Sequence, residues 1–126
     1  MKIAISGLLA LIGVINTLPL IGCLSAARLG ALYGVPWTDP TTILLLRHRA
    51  VLFGIIGGFI LYSAVKPGLQ PLAMLAAGIA MGSFLLLGSG TDAAGPALET
   101  VVLMDRIGLI ALALVAILRL AQANLP

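Results

Sequence analysis

"DPTTILLLRHRAVLFGIIGGFILYSAV", residues 39–65, decides the fold class of this chain. After the opening Asp-Pro the stretch is almost wholly apolar on every face, apart from Arg47, His48 and Arg49. A helix needs roughly 20 apolar residues to cross about 30 Å of hydrocarbon. A membrane barrel strand would show an alternation of polar and apolar residues that this run lacks. The stretch therefore predicts a transmembrane helix that carries up to three cationic side chains.

The composition of the whole chain agrees with a membrane location. Of its 126 residues 61% are hydrophobic and only 9% are charged, whereas a soluble domain has about 25% charged residues. The formal net charge is +3, but the cations are scattered singly and form no basic patch, so we expect no nucleic-acid partner. Cys23 is the only cysteine, which excludes an intrachain disulfide and a CxxC metal or redox site.

Four apolar stretches are long enough to span a bilayer, and they predict an all-α, single-domain bundle of four transmembrane helices covering residues 1–126. Asp39 is a candidate helix N-cap before Pro40, and Pro71 and Pro96 stand where a helix tolerates proline, in its first turn. The predicted spans are residues 3–24, 41–65, 71–88 and 97–120.

The first span has an alternative interpretation. Lys2 followed by an apolar run ending in Leu20–Cys23 resembles a lipoprotein signal with cleavage before the cysteine. We expect instead that the segment is retained as a transmembrane helix.

The connections predict the topology. Lys2, Lys66 and Arg119 fall on one side of the membrane, and Arg28 is the cation in the loops of the other side, so the positive-inside rule places both termini in the cytoplasm. We expect a multi-pass protein of the cell (inner) membrane. The segment "LSAARLGALYGVPW", residues 24–37, predicts a short interfacial helix or hairpin between the first two spans, with Tyr33 and Trp37 at headgroup level.

Small residues predict where the helices pack. The second and third spans each contain a G-x-x-x-G pattern, which lets helix backbones approach closely in lipid. The pattern does not distinguish packing within one bundle from packing between subunits. The residues concerned are Gly54, Gly58, Gly78 and Gly82.

The charged residues inside the spans predict one polar cluster. At 1.5 Å per residue, Arg47 and Arg49 lie about 9 and 12 Å into the second span, and Asp105 and Arg106 lie about 12 to 14 Å into the parallel fourth span. An unpaired charge at the bilayer centre costs about 2.5–3.5 kcal/mol on insertion scales. We therefore expect one of the two arginines to meet Asp105 inside the bundle and the other to extend toward the interface.

The predicted cluster, Arg47, His48, Arg49, Asp105 and Arg106, has two interpretations. It either locks the helices together as a polar clasp, or it lines a cavity on the non-cytoplasmic side that binds an anion, a headgroup or a quinone-like ligand. No catalytic residue and no metal site is predicted, because one histidine with one nearby carboxylate lacks the ligands of a closed zinc site. The sequence requires no particular cofactor.

Two of these stretches also carry a family resemblance. At "LSAARLGALYG" and "LLRHRAVLFGIIGG", and around Asp105, the chain resembles a group of small, mostly uncharacterised bacterial four-span membrane proteins, some of which carry the transferred label phosphopantetheine adenylyltransferase. The resemblance implies the four-span architecture, with Arg47, His48, Arg49 and Asp105 as the family-like polar positions. It implies no reaction, because the soluble nucleotidyltransferase fold behind that label has a His-containing phosphate loop that nothing in this chain matches.

These features favour a binding or accessory subunit that lies in the bilayer, within a larger membrane complex or a homo-oligomer. The first alternative is a small oligomeric transporter or channel in which the cluster is the site for an ion or small solute. The second is a membrane enzyme acting on a lipid-soluble substrate.

Overall fold

The computed structural model describes residues 1–92 and 95–124. The described chain is helical, and four helical segments are long and apolar enough to cross a membrane, which confirms the predicted all-α, four-span fold. The first span is an α-helix that continues as a 3₁₀ segment, Leu18–Leu24, and a 3₁₀ turn, Pro67–Leu69, precedes the third span. The α-helices are α1 (Lys2–Thr17), α2 (Ala26–Tyr33), α3 (Pro40–Ala64), α4 (Gln70–Gly88) and α5 (Pro96–Ala123).

The starts of the membrane helices follow the local sequence. Asp39 caps α3, because its carboxylate accepts hydrogen bonds from the Thr42 backbone N–H at 2.7 Å and the Thr42 hydroxyl at 2.6 Å. These two hydrogen bonds lower the pKa of the Asp39 carboxyl below its ordinary value. Pro40 and Pro96 are the first residues of their helices and Pro71 is the second residue of α4. In the first turn of a helix a backbone N–H has no partner within the helix, so proline, which lacks this group, loses no hydrogen bond there.

The four long helices pack in a ring. α1 lies against α3 and α5, and α4 lies against the same two helices, so the order around the bundle is α1, α3, α4, α5. The apolar core between them is contributed mostly by α1 and by small residues of the later helices. Its buried residues are Ile5, Leu9, Ile12, Ile60, Ala64, Ala73, Ala77, Met81, Ala111 and Val115.

The closest approach of two helices is between α1 and α3. A Cβ built on Gly57 of α3 would lie 2.7 Å from the backbone nitrogen of Thr17, 2.9 Å from the carbonyl oxygen of Gly13, and against the Thr17 hydroxyl. A Cβ on Gly13 would in turn lie 2.9 Å from the backbone nitrogen of Leu61. Glycine at both positions therefore lets the two backbones touch.

The four glycines singled out from the sequence have different surroundings. A Cβ on Gly54 would lie 2.6 Å from the Leu20 side chain, and a Cβ on Gly78 would make an ordinary contact with Leu112 at 3.4 Å. A Cβ on Gly58 or Gly82 would meet no described atom within 4 Å. Within one chain, Gly54 is therefore the closely packed glycine of the four, and a side chain at Gly58 or Gly82 would have open space.

The connection between the first two spans is a helix rather than a hairpin. Ser25 caps α2 by accepting a hydrogen bond from the Arg28 backbone N–H at 3.2 Å. Gly34 ends the helix in the left-handed region, with φ 66°, where a side chain would be strained. α2 contacts the 3₁₀ end of the first span, α3 and α5, so it covers one end of the bundle.

Candidate anion-binding site

The three consecutive basic residues of α3 differ in burial. Arg47 and His48 are exposed and Arg49 is half-buried. The Nε of Arg47 donates a hydrogen bond of 2.8 Å to the carbonyl oxygen of Cys23, in the 3₁₀ end of the first span. Arg47 therefore joins α3 to the first span at the surface and takes no part in a buried site.

Arg49 is the cation that faces the interior. Its guanidinium carbon lies 5.0 Å from the centroid of the Phe53 ring and 5.4 Å from that of the Phe84 ring. Both distances are within the range of a cation–π interaction, about 6 Å. Its Nη1 donates a hydrogen bond of 3.4 Å to the hydroxyl oxygen of Tyr33 in α2. Two rings and one phenol therefore hold the guanidinium in place.

Asp105 is half-buried on α5 and Arg106 beside it is exposed. Arg49 is the cation whose charge acts on Asp105. However, the hydrogen bonds formed by Arg47 and Arg49 within residues 1–92 and 95–124 go to Cys23 and Tyr33, and none of them reaches Asp105. The expectation was that one arginine meets Asp105 inside the bundle; Arg49 is the arginine on that side, and its hydrogen bond goes to Tyr33.

A pocket of about 650 Å³ brings Arg49 and Arg106 together. It lies between α3, α4 and α5, and it extends from the residues that follow α4 down to Ala80, about 12 Å below the end of that helix. No carboxylate is among its lining residues in the described part of the chain, and most of the lining is apolar. The lining residues are Arg49, Phe53, Ala80, Ser83, Phe84, Leu85, Leu87, Gly88, Ser89, Thr91, Leu98, Val102 and Arg106.

The hydroxyl groups of the pocket donate elsewhere. Ser83, Ser89 and Thr91 each donate a hydrogen bond to a carbonyl oxygen three residues earlier in the chain. Their protons are therefore already used, and the guanidinium groups of Arg49 and Arg106 are the strong donors available to a ligand. The pocket combines two positive charges with an apolar lining.

Sequence reasoning missed the aromatic side chains around Arg49. Phe53 was predictable in principle, because residues four apart in a helix lie on the same face. Phe84 and Tyr33 come from other helices, and their proximity depends on how α2 and α4 pack against α3. Arg106 was expected in the cluster together with Asp105. In the structure Arg106 lines the pocket with Arg49 and Asp105 does not, and this difference depends on the rotation of α5 about its axis.

The described residues contain no group of three His, Cys, Asp or Glu side chains able to hold a metal ion. When the chain was compared with protein families, with curated proteins and with solved structures, nothing matched.

Proposed function

We propose that the protein is a small binding subunit of the cell membrane, with both termini in the cytoplasm, and that its pocket binds an amphiphile with an acidic headgroup. The observation that carries the proposal is that Arg49 and Arg106, from two different helices, line one largely apolar pocket. The headgroup would be a carboxylate or a phosphate, and the apolar body of the ligand would lie along the phenyl and leucine side chains.

The electrostatics of the pocket support an anion. Arg49 lies about 14 Å from the start of α3 and Arg106 about 15 Å from the start of α5, which places both charges within the membrane helices. A charge at that depth needs a partner, and Asp105 is one acid beside two arginines. A ligand carboxylate or phosphate that accepts from both guanidinium groups would supply the missing negative charge, through charge-assisted hydrogen bonds.

The apolar lining supports an amphiphile rather than a small inorganic ion. Binding pockets of about 300–1,000 Å³ hold small organic ligands, with a few polar groups that fix their orientation. Here Phe53 and Phe84 flank the charged end, and Leu85, Leu87 and Leu98 form part of the remaining wall. An inorganic anion would occupy the charged end and would leave the apolar part of the pocket unfilled.

The proposal is tested with pyrene-labelled palmitate, a pyrene-labelled lysophosphatidic acid and pyrene-labelled hexadecanol added to the purified protein in neutral detergent. Binding is followed by energy transfer from Trp37, the only tryptophan of the chain. We expect at least one of the two acids to bind at least about tenfold more tightly than the alcohol, because a hydrogen bond to a charged group contributes about 1.5–3 kcal/mol. Tighter binding of palmitate identifies a carboxylate ligand, and tighter binding of the phosphate compound identifies a phosphate ligand.

Variants separate the pocket from general surface charge. Arg49→Gln and Arg106→Gln should each weaken binding of the acid about tenfold. Arg28→Gln, which removes an exposed arginine at the same end of the molecule, should leave it unchanged. The proposal is wrong if the alcohol binds as tightly as both acids, or if Arg28→Gln weakens binding as much as the two pocket variants.

A further inference from the structure

A second pocket lies at the opposite end of the bundle, where the chain begins. Its volume is about 400 Å³, and it is formed by the start of α1, the turn before α4, the start of α4 and the end of α5. It shares no residue with the pocket around Arg49. Its lining residues are Lys2, Ile5, Ser6, Pro67, Gln70, Arg119, Gln122 and Ala123.

Arg119 is half-buried and has a neutral partner. Its Nη1 donates a hydrogen bond to Oε1 of Gln70, a side chain that is only 4% exposed. An amide oxygen orients the guanidinium without cancelling its charge, so the positive charge of Arg119 remains available to an anion. Lys2 adds a second positive charge to the same pocket.

No acidic side chain of the protein can neutralise this end. The chain has four Asp and Glu residues, and by the order of the helices all of them belong to the other end. Two lie at the starts of α3 and α5, one follows α4, and the fourth lies about 14 Å into α5 from that end. They are Asp39, Asp92, Glu99 and Asp105. The pocket at the chain start therefore faces a basic surface, to which Lys66 also contributes.

The walls of this pocket are fixed by contacts between helices. The Ser6 hydroxyl donates a hydrogen bond of 2.6 Å to the carbonyl oxygen of Ala64, which ties the start of α1 to the end of α3. The hydrogen bond between Arg119 and Gln70 ties α5 to α4. The two cations therefore lie on a preformed framework, which distinguishes the pocket from basic residues scattered along loops.

We propose that this pocket binds the phosphate headgroup of an anionic phospholipid from the adjacent leaflet. Arg119 lies about 6 Å from the end of α5, a depth suited to a lipid phosphate. The outer faces of the neighbouring helices expose Leu72 and Leu120 to the surroundings, and acyl chains would lie against them. Basic pockets between membrane helices on the cytoplasmic side are recognised sites for anionic headgroups.

The test uses the full chain, stripped of lipid in neutral detergent. Phosphatidylglycerol, phosphatidylcholine or inorganic phosphate is added, and native mass spectrometry measures bound lipid while a thermal melt measures stabilisation. We expect phosphatidylglycerol to remain bound and to raise the melting temperature. Phosphatidylcholine and inorganic phosphate should have little effect, and added salt should weaken the binding.

Charge-matched variants locate the site. Lys2→Gln and Arg119→Gln should each weaken phosphatidylglycerol binding about tenfold, the effect of losing about 1.4 kcal/mol. Lys66→Gln should not, because Lys66 is an exposed cation of the same end that does not line the pocket. If Arg119→Gln fails to fold, Arg119→Lys takes its place in the test. This variant keeps the positive charge and should retain most of the binding.

Three results would overturn this proposal. One is equal retention of phosphatidylglycerol and phosphatidylcholine, and another is a loss for Lys66→Gln as large as that for Lys2→Gln. The third is full stabilisation by inorganic phosphate alone, which would identify a soluble anion as the ligand. Arg28→Gln should leave phosphatidylglycerol binding unchanged, because Arg28 is an exposed cation of the opposite end that lines neither this pocket nor the pocket around Arg49.

Discussion

Arg49 carries its charge at a half-buried position of a membrane helix, and its neighbours explain how the fold tolerates it. The Phe53 and Phe84 rings lie beside the guanidinium, the Tyr33 hydroxyl accepts one hydrogen bond, and the Asp105 carboxyl lies within reach of its charge. Each of these contacts is modest by itself. Together they hold the guanidinium in one orientation and leave donors free for a ligand.

Consecutive residues of a helix are about 100° apart, so Arg47, His48 and Arg49 could not all face the interior. This much was predictable from the sequence, as was the similar depth of Arg49 and Asp105. The sequence did not predict that Arg49, rather than Arg47, would face the interior, because this depends on which face of α3 meets α4. The sequence also gave no sign that Arg47 bonds the Cys23 carbonyl.

We predict an energetic coupling between Arg49 and Asp105. Asp105→Asn should lower the melting temperature in detergent by several degrees, because it leaves the Arg49 charge without a nearby carboxylate. The same substitution in an Arg49→Gln background should cost less. The coupling energy should be near the lower end of about 0.5–3 kcal/mol, because Asp105 is only half-buried and its charge is partly screened.

A thermal-melt double-mutant cycle measures this coupling, with Asp105→Asn in an Arg28→Gln background as the control. Equal losses from Asp105→Asn in the wild-type and Arg49→Gln proteins would show that the two charges do not interact.

At the scale of the helices, stability in this fold depends on where backbones can touch. The hydrophobic effect, which drives packing in water, contributes little between helices in lipid, so close packing and hydrogen bonds hold the helices together instead. Gly13 and Gly57 provide that contact between α1 and α3. The G-x-x-x-G pattern identified α3 as a packing helix, but its spacing could not say which of three glycines, at positions 54, 57 and 58, meets α1.

We predict that alanine destabilises the protein at one of two adjacent glycines of α3 and has no effect at the other. Gly57→Ala should destabilise the protein by about 1–3 kcal/mol, the usual cost of overpacking, because the new methyl would meet backbone atoms of α1 that cannot move aside. Gly58→Ala should cause no loss, because a Cβ there meets no described atom within 4 Å.

Unfolding in detergent, followed by circular dichroism, distinguishes the two variants. Equal melting temperatures for Gly57→Ala and the wild type would show that α1 and α3 are not in backbone contact. A clear loss for Gly58→Ala would instead indicate that this outward-facing glycine packs against another copy of the chain or another subunit.

The fold was largely predictable from the sequence, whereas most of the side chains that line the two pockets were not. Hydropathy and the prolines at residues 40, 71 and 96 located four spans, because crossing a bilayer sets both the length and the composition of a helix. The pockets arise where side chains from three or more helices converge. Gln70 shows the difference, since its burial against Arg119 depends on how α4 meets α5 and leaves no periodic signal in the sequence.

The distribution of charge between the two ends predicts the orientation of the molecule. Lys2, Lys66 and Arg119 occupy the end at which the chain begins, whereas Arg28 is the only Lys or Arg in the loops of the other end. Arg47, Arg49 and Arg106 lie inside α3 and α5, so the positive-inside rule, which counts cations in short loops and near helix ends, gives them less influence. We expect both termini in the cytoplasm.

Cysteine accessibility in cells tests this orientation. In a Cys23→Ser background, Gly90→Cys in the loop after α4 should react with a membrane-impermeant maleimide on intact cells. Gly68→Cys in the turn before α4 should react only after permeabilisation. Both glycines are exposed, so the two positions are matched in access to reagent. The reverse pattern, or labelling of both in intact cells, would contradict the predicted orientation and would move the Arg119 pocket away from the cytoplasmic leaflet.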